Sequence, residues 1–188
     1  VNEKGNVALG HRRLSIIDLT SWGRQPMTNE DNNLRLRFNG EVYNYRELRE
    51  ELIKSHEFKS KTDSEVVIHA YEQWGVNSLK KLRGMFAFAI WDRRGGHPFR
   101  AGCGLGIQPL YYYSDDNKFI FSSELKGIIK DKKIKRKINP TALQYFLIYR
   151  YIPAPYSIWQ GIYKLPPAHY LIYENNKYSI KLKSDLKL

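Results

Sequence analysis

The chain has a single cysteine, Cys103, among 188 residues. One thiol cannot build an internal disulfide framework, which excludes the small disulfide-stapled class and fits a reducing, cytoplasmic setting. Long apolar runs are missing too. The longest, Met85 to Trp91, is far too short to cross a bilayer, so no membrane partner is expected. The opening residues do not read as a secretory signal. A start at Val1, without methionine, is expected of a piece of a longer product. Acidic residues are scarce: 19 Asp and Glu against 31 Lys and Arg leave a net charge of +12. Much of the excess follows residue 125, as in KDKKIKRK (130–137). Such a run can meet nucleic-acid phosphates. It has no aromatic platform or recognised motif around it, so it reads as a solvated loop between two helices, and nucleic acid is not expected as a partner. The five histidines show no metal-ligand spacing, and no metal is expected.

Apolar residues make up 42% of the chain and aromatics 14%, enough for a folded domain with a real core. LRLRF (34–38) alternates as a strand does, and FNGEVYNY reads as a polar turn after it. YRELREELIK has helical spacing with Asn44 as its cap. TDSEVVIHAYEQWG opens with a capping-box spacing, Thr62 to Glu65, and ends at Gly75. Val66, Val67, Ala70, Tyr71 and Trp74 fall on one face of that helix. MFAFAIWD reads as a buried strand. PLYYYSDDNKFIFSSE and PAHYLIYENNKYSIK read as hairpins. SSELKGIIKD follows as a short helix capped by Ser123, and NPTALQYFLIYRYI as a longer one with Asn139 as cap and Pro140 at its first position. The proline-rich stretch RYIPAPYSIWQGIYKLPPAH (150–169) reads as an extended surface connector. Hairpins flanking a block of helices point to an α+β fold with antiparallel sheets.

Three stretches put polar groups at the ends of apolar elements: GHRRLSIIDL (10–19), FNGEVYN (38–44) and KTDSEV (61–66). Arg13 suits a bidentate carboxylate grip. The Asn39 amide beside the Gly40 N–H can hold the negative charge of an acyl-transfer intermediate. Asp63 can pair with an ammonium. Each also has a plainer reading. Arg13 serves equally as a surface or ion-pair residue, Asn39-Gly40 as a turn, and Asp63 as part of a helix N-terminus. His11 reads as a packed or surface histidine.

Taken in order, GHRRLSIID, FNGEVYN, TDSEV, LRGMFAFAIWD, GIQPLYY, FSSELKGI and KLPPAHYLIY resemble the glutamine amidotransferase domain of glutamine-dependent asparagine synthetases. The resemblance implies a four-layer αββα sandwich of the N-terminal-nucleophile hydrolase type, here without its first strand. It implies a domain over residues 1–175 that lacks its N-terminal segment, with 176–188 beginning the link to a synthetase domain. In that family a cysteine at the mature N-terminus attacks the glutamine side-chain amide, with its own α-amine as base. A glutamyl thioester forms, ammonia leaves, and water releases glutamate. Ammonia then reaches a C-terminal domain where ATP has activated aspartate. Carried over, Arg13 would hold the glutamine α-carboxylate, and Leu14, Ser15, Ile16 and Ile17 would line the pocket. Asn39 and Gly40 would form the oxyanion hole, Glu41 would border the pocket, and Asp63 would pair with the α-amine. The expected partners are glutamine and the synthetase domain, with a homodimer left open. The domain itself needs no cofactor, whereas ATP and Mg belong to the synthetase domain.

The resemblance puts the nucleophile ahead of Val1, so these residues alone would not hydrolyse glutamine. Where that family reads like ARDRFGIKPLYY, this chain has AGCGLGIQPLYY, with Cys103 in the aspartate position. The glycine-rich run 95–106 therefore reads either as a divergent loop or as the product of a shifted reading frame. Cys103 would start a hairpin strand with no base at a motif-defined position beside it, which argues against it as the nucleophile. Two other readings are open. One is a related amidotransferase acting on another acid; the other is a non-catalytic module that keeps the fold. A basic nucleic-acid-binding domain is the remote third.

Overall fold

The structure, a computed structural model, describes residues 7–12, 17–94, 99–103 and 106–183. Its strands are β1 (Met27–Thr28), β2 (Leu34–Val42), β3 (Gly84–Asp92), β4 (Phe99–Cys103), β5 (Tyr111–Ser114), β6 (Phe119–Ser122), β7 (Ile162–Lys164), β8 (His169–Glu174) and β9 (Lys177–Leu182). Its helices are α1 (Tyr45–Leu52), α2 (Asp63–Trp74), α3 (Ser78–Lys81), α4 (Leu125–Ile129) and α5 (Pro140–Tyr149). The strands form two antiparallel sheets. One has the order β1-β2-β3-β4-β8-β9, the other β6-β5-β7.

Three separate apolar clusters fill the gaps between four layers. The first joins Leu34, Leu36, Phe86, Phe88 and Ile90 of the large sheet to Leu48 and Leu52 of α1 and Val66, Val67 and Ala70 of α2. The second lies between the sheets, with Ala87, Ala89 and Leu171 facing Leu110, Tyr112 and Leu165. The third packs Ile128 of α4 and Ile162 of β7 under Tyr111, Tyr113 and Ile120. Strand periodicity explains the division. Phe86, Phe88 and Ile90 point to the helices while Ala87 and Ala89 point to the other sheet; Tyr112 points in while Tyr111 and Tyr113 point out. This is the αββα sandwich expected of an α+β chain.

Local chemistry sets several boundaries. Asn139 caps α5 by accepting from the backbone N–H groups of Thr141 and Ala142, with Pro140 at the first position. The β8–β9 hairpin turns through Asn175 and Asn176 at φ 51° and 60°, the left-handed pair that a two-residue turn demands. Asp115 closes the β5–β6 turn by accepting from the N–H groups of Asn117 and Lys118.

Several expectations need correction. The stretch FNGEV is not a turn; β2 runs through it to Val42, paired with β3 along its length. Residues 99–103 of the glycine-rich run are not loop but a strand, paired with β3 on one side and β8 on the other. Cys103 therefore ends an interior strand opposite Ala87 and does not begin the β5–β6 hairpin. The remainder of that run, 95–98 and 104–105, lies outside the described residues. The proline-rich connector contains β7, which pairs with β5 and buries Ile162. β9 carries the large sheet to Leu182. Asn44 does not cap α1 with its side chain. It accepts from the Arg83 N–H and donates to the Lys81 carbonyl, tying the end of β2 to α3. Glu124, not Ser123, occupies the N-terminal cap position of α4, where no side chain makes a cap hydrogen bond.

Leu171 is fully buried between the sheets. Leu171→Ala should cost about 2–5 kcal/mol in denaturant unfolding of the full-length protein. Leu147→Ala, on the exposed face of α5, should cost about 0.5 kcal/mol or less.

Candidate functional site

The site begins with a break in strand alternation. Along β2, Leu36, Arg37 and Phe38 are buried, Asn39, Gly40 and Glu41 are exposed, and Val42 is buried again. Gly40 makes the break possible. Its φ is +132°, and a Cβ there would sit 2.1 Å from the Met85 carbonyl oxygen and 2.6 Å from the Phe86 Cα. Only glycine tolerates both the conformation and the contact. Gly84, across the ladder from Val42, makes the reciprocal approach, with its would-be Cβ 2.1 Å from the Glu41 carbonyl oxygen.

Asn39, Gly40 and Glu41 thereby line one open cavity of about 430 Å³, whose wall also includes His11, Arg12, Ile17, Gln25, Thr62, Asp63 and Gln108. Five of the expected site residues, Ile17, Asn39, Gly40, Glu41 and Asp63, come together there from separate parts of the chain. Arg13, Leu14, Ser15 and Ile16 lie outside the described residues. The neighbouring Arg12 is on the cavity wall.

Asp63 is buried at the first position of α2, where its Oδ2 accepts from the Val42 N–H at 3.0 Å. Burial raises its pKa above the ordinary aspartate value, opposed by the backbone N–H groups of Val42 and Ser64. The loop ahead of α2 is tightly held. Glu65 accepts from the Lys59 and Ser60 N–H groups and from the Ser60 hydroxyl, each at 2.7 Å, while the Thr62 hydroxyl accepts from the Glu65 N–H. The expected capping box is thus half formed, because the Glu65 carboxylate serves residues 59–60 instead.

Sequence reasoning passed over three residues that organise this cavity. Asp18 is buried and accepts from the Thr20 and Lys61 N–H groups, joining the 17–20 segment to the loop before α2. Gln25 pairs both ways with the Phe38 backbone, accepting from its N–H at 2.7 Å and donating to its carbonyl at 3.0 Å. Gln108 accepts from the Asn39 amide at 3.1 Å, which sets the direction of that amide. The motifs GIQPLYY and GHRRLSIID contained the signals for Gln108 and Asp18. Gln25 had none beyond a polar residue near an apolar run.

A second cavity of about 380 Å³ lies between the sheets, lined in part by Arg37, Ala87, Ala89 and Phe121. Arg37 is buried and donates to the Leu9 carbonyl at 2.6 Å, and desolvation pushes its pKa down to about 10. This cavity is the less suited to an amino acid, since its wall has no carboxylate. The first offers Arg12 for one end of a zwitterion, and Glu41 and Asp63 for the other.

A separate grouping lies away from both cavities, although the histidines have no metal-ligand spacing in the sequence. Folding brings His56 and His69 together with Glu30 and Glu72, one ligand atom from each lying within 4.8 Å of the others. No linear spacing reveals it, because only His69 and Glu72 share an element.

Comparison with known proteins agrees with the sandwich. The profile of the glutamine amidotransferase domain matches residues 1–183. A Methanocaldococcus jannaschii protein, assigned provisionally as a glutamine-hydrolysing asparagine synthetase, is 39% identical over 94% of this chain and 37% of its own length. Asparagine synthetase (glutamine-hydrolysing) 3 of Bacillus subtilis is 35% identical over 93% of this chain and 29% of its own. The chain thus spans about a third of these relatives. The glutamine phosphoribosylpyrophosphate amidotransferase of B. subtilis shares the fold, with a TM-score of 0.57 at 19% identity over 85% of this chain and 32% of that one.

Gly40→Ala should force β2 away from β3 and cost about 2–4 kcal/mol in denaturant unfolding of the full-length protein. Gly10→Ala, where an added Cβ meets nothing within 4 Å, should leave unfolding within about 0.5 kcal/mol of the parent.

Proposed function

The chain belongs to the glutamine amidotransferase domain family, and on that premise we propose that it is the glutaminase part of a glutamine-hydrolysing asparagine synthetase. The observation that carries this reading is the convergence of Asn39, Gly40, Glu41 and Asp63 on one cavity. Glutamine lies there with its α-ammonium against Asp63 and Glu41. Its α-carboxylate meets the arginine pair 12–13, Arg13 being the residue the family pattern favours. Its side-chain amide reaches the Asn39 Nδ2 and the Gly40 N–H. A cysteine thiolate from outside these residues attacks the amide carbon. The oxyanion that forms is held by Asn39, pre-aimed by its hydrogen bond to Gln108. Collapse breaks the C–N bond, the amide nitrogen leaving as ammonia with the proton that the thiol gave up, and a thioester remains; water then cleaves the C–S bond, yields glutamate and restores the thiol.

Ammonia passes to a synthetase domain of the same polypeptide, which uses ATP and Mg to activate aspartate. The length of the relatives favours such a partner. So does the exposed apolar surface of α5 and the residues after it: Leu147 is 63% exposed, Ile148 69% and Tyr151 60%, a surface that a packed neighbour would cover. No helix among the described residues is long and apolar enough to cross a membrane. The cytoplasm, where glutamine, ATP and a reduced thiol coexist, is the compartment this reading requires.

Glutamate release by the full-length protein, with and without ATP and aspartate, tests the proposal. Asn39→Ala should lower kcat about 10²–10³-fold with little change in KM, as loss of one oxyanion donor does. Arg13→Ala should raise the glutamine KM about 10-fold or more and leave kcat near the parent. Full-length protein without glutaminase activity, or Asn39→Ala at the parent rate, contradicts it.

The raised pKa of Asp63 adds a pH signature. Only the ionised carboxylate attracts the ammonium, so affinity is retained above that pKa and lost as pH falls through it. The glutamine KM should therefore begin to rise on acidification at a pH above the ordinary aspartate range. Asp63→Asn should raise KM throughout and remove that acid limb, as read from KM–pH profiles.

A further inference from the structure

We propose that Glu30, His56, His69 and Glu72 form a binding site for one divalent transition-metal ion, zinc by ligand type, which clips three segments of the domain together. The four residues come from the β1–β2 turn, the segment after α1, and the middle of α2. One ligand atom from each residue lies within 4.8 Å of the others, and four of the nitrogen–oxygen pairs are closer. His56 Nδ1 lies 3.5 Å from Glu30 Oε1 and 3.6 Å from Glu72 Oε2; His69 Nδ1 lies 3.5 Å from Glu30 Oε2 and 3.6 Å from Glu72 Oε2. Ligands about 2.1 Å from a tetrahedral zinc are about 3.4 Å apart. The same contacts are too long for hydrogen bonds.

The polar atoms left without partners make the case for a cation. His56 Nε2 is occupied by the Gln73 side-chain oxygen at 3.2 Å, which leaves Nδ1 facing the two carboxylate oxygens. His69 is 1% exposed, and neither of its ring nitrogens has a hydrogen-bond partner; Glu72 Oε2 is likewise buried without one. The two imidazoles stack at 4.8 Å between centroids, a poor arrangement for two positive rings. Ring nitrogens and carboxylate oxygens that converge without hydrogen bonds between them leave a position that a cation fills. Two imidazoles and two carboxylates suit zinc, which takes both nitrogen and oxygen ligands.

The surroundings fit as well. Glu30 Oε1 accepts from the Glu57 N–H at 2.9 Å, and Glu72 Oε1 accepts from the Asn29 amide at 2.7 Å and faces Arg94 at 3.6 Å. These contacts orient the carboxylates as outer partners of metal sites do. A surface cavity of about 260 Å³, lined by Glu30 and His69, gives an ion a way in. His69 lies six residues beyond Asp63 on α2, about 9 Å along the helix axis, which makes the ion structural rather than a participant in amide cleavage.

The test is metal analysis of the full-length protein after dialysis against zinc and removal of free metal. One zinc per chain is expected, and cobalt in its place should give the intense visible absorption of a tetrahedral site. The melting temperature should rise with zinc and fall with a chelator. His56→Gln and Glu30→Gln, at the rim of the cluster, keep the core intact and should each weaken zinc binding at least 100-fold and abolish the chelator response. His69→Gln should do the same, but its burial makes it the less secure variant. Zinc content equal in parent and rim variants, a pale octahedral cobalt spectrum, or a melting temperature indifferent to zinc and chelator would each overturn the proposal.

Discussion

The backbone contact between Gly40 and Met85 is the constraint on which the site depends. A Cβ at residue 40 would lie 2.1 Å from the Met85 carbonyl oxygen, so β2 and β3 can meet there only through glycine. The contact changes the facing of β2 and puts three successive residues, Asn39 to Glu41, toward solvent before Val42 returns to the core. The Val42 N–H then holds the Asp63 carboxylate at the start of α2. From there Asp18 reaches the adjoining Lys61 N–H and secures the segment that precedes the cavity. One glycine thus positions the Asn39 amide and, through one more hydrogen bond, the Asp63 carboxylate.

Stability and chemistry occupy different parts of the same strands. Phe86, Phe88 and Ile90 anchor β3 against the helices, while Ala87 and Ala89 keep its other face low. Small side chains there leave room between the sheets for the second cavity. The polar groups concentrate where β2 leaves the core, and each is fixed by a neighbour: Asn39 by Gln108, Asp63 by Val42, Glu65 by residues 59–60. A cavity preorganised in this way holds its polar groups in place before any ligand enters.

Much of this was legible in the sequence. The apolar and aromatic content of MFAFAIWD, the hairpin turns and the Asn139-Pro140 cap are local signals, and all of them appear in the fold. Asn39, Gly40 and Asp63 stood out because they close apolar elements. What stayed hidden was non-local. Asn39-Gly40 has the composition of a turn, and nothing in FNGEV announces that the opposite backbone comes close enough to make it strand. Gln25 and Asp18 act on partners far along the chain, and no periodicity marks them. Strand β4 lies inside a glycine-rich run that reads as loop, although only Gly102 of its five residues is glycine; it pairs with β3 on one side and β8 on the other. The Glu30, His56, His69 and Glu72 cluster assembles only when the β1–β2 turn folds onto α2.

The most direct test of the central claim is a crystal structure of the full-length protein with glutamate, the product of the reaction. The account predicts that the α-ammonium lies on Asp63 and that the side-chain carboxyl reaches the Asn39 amide and the Gly40 N–H. Glutamate bound instead between the sheets beside Arg37, or bound with its side chain turned away from Asn39, would contradict it.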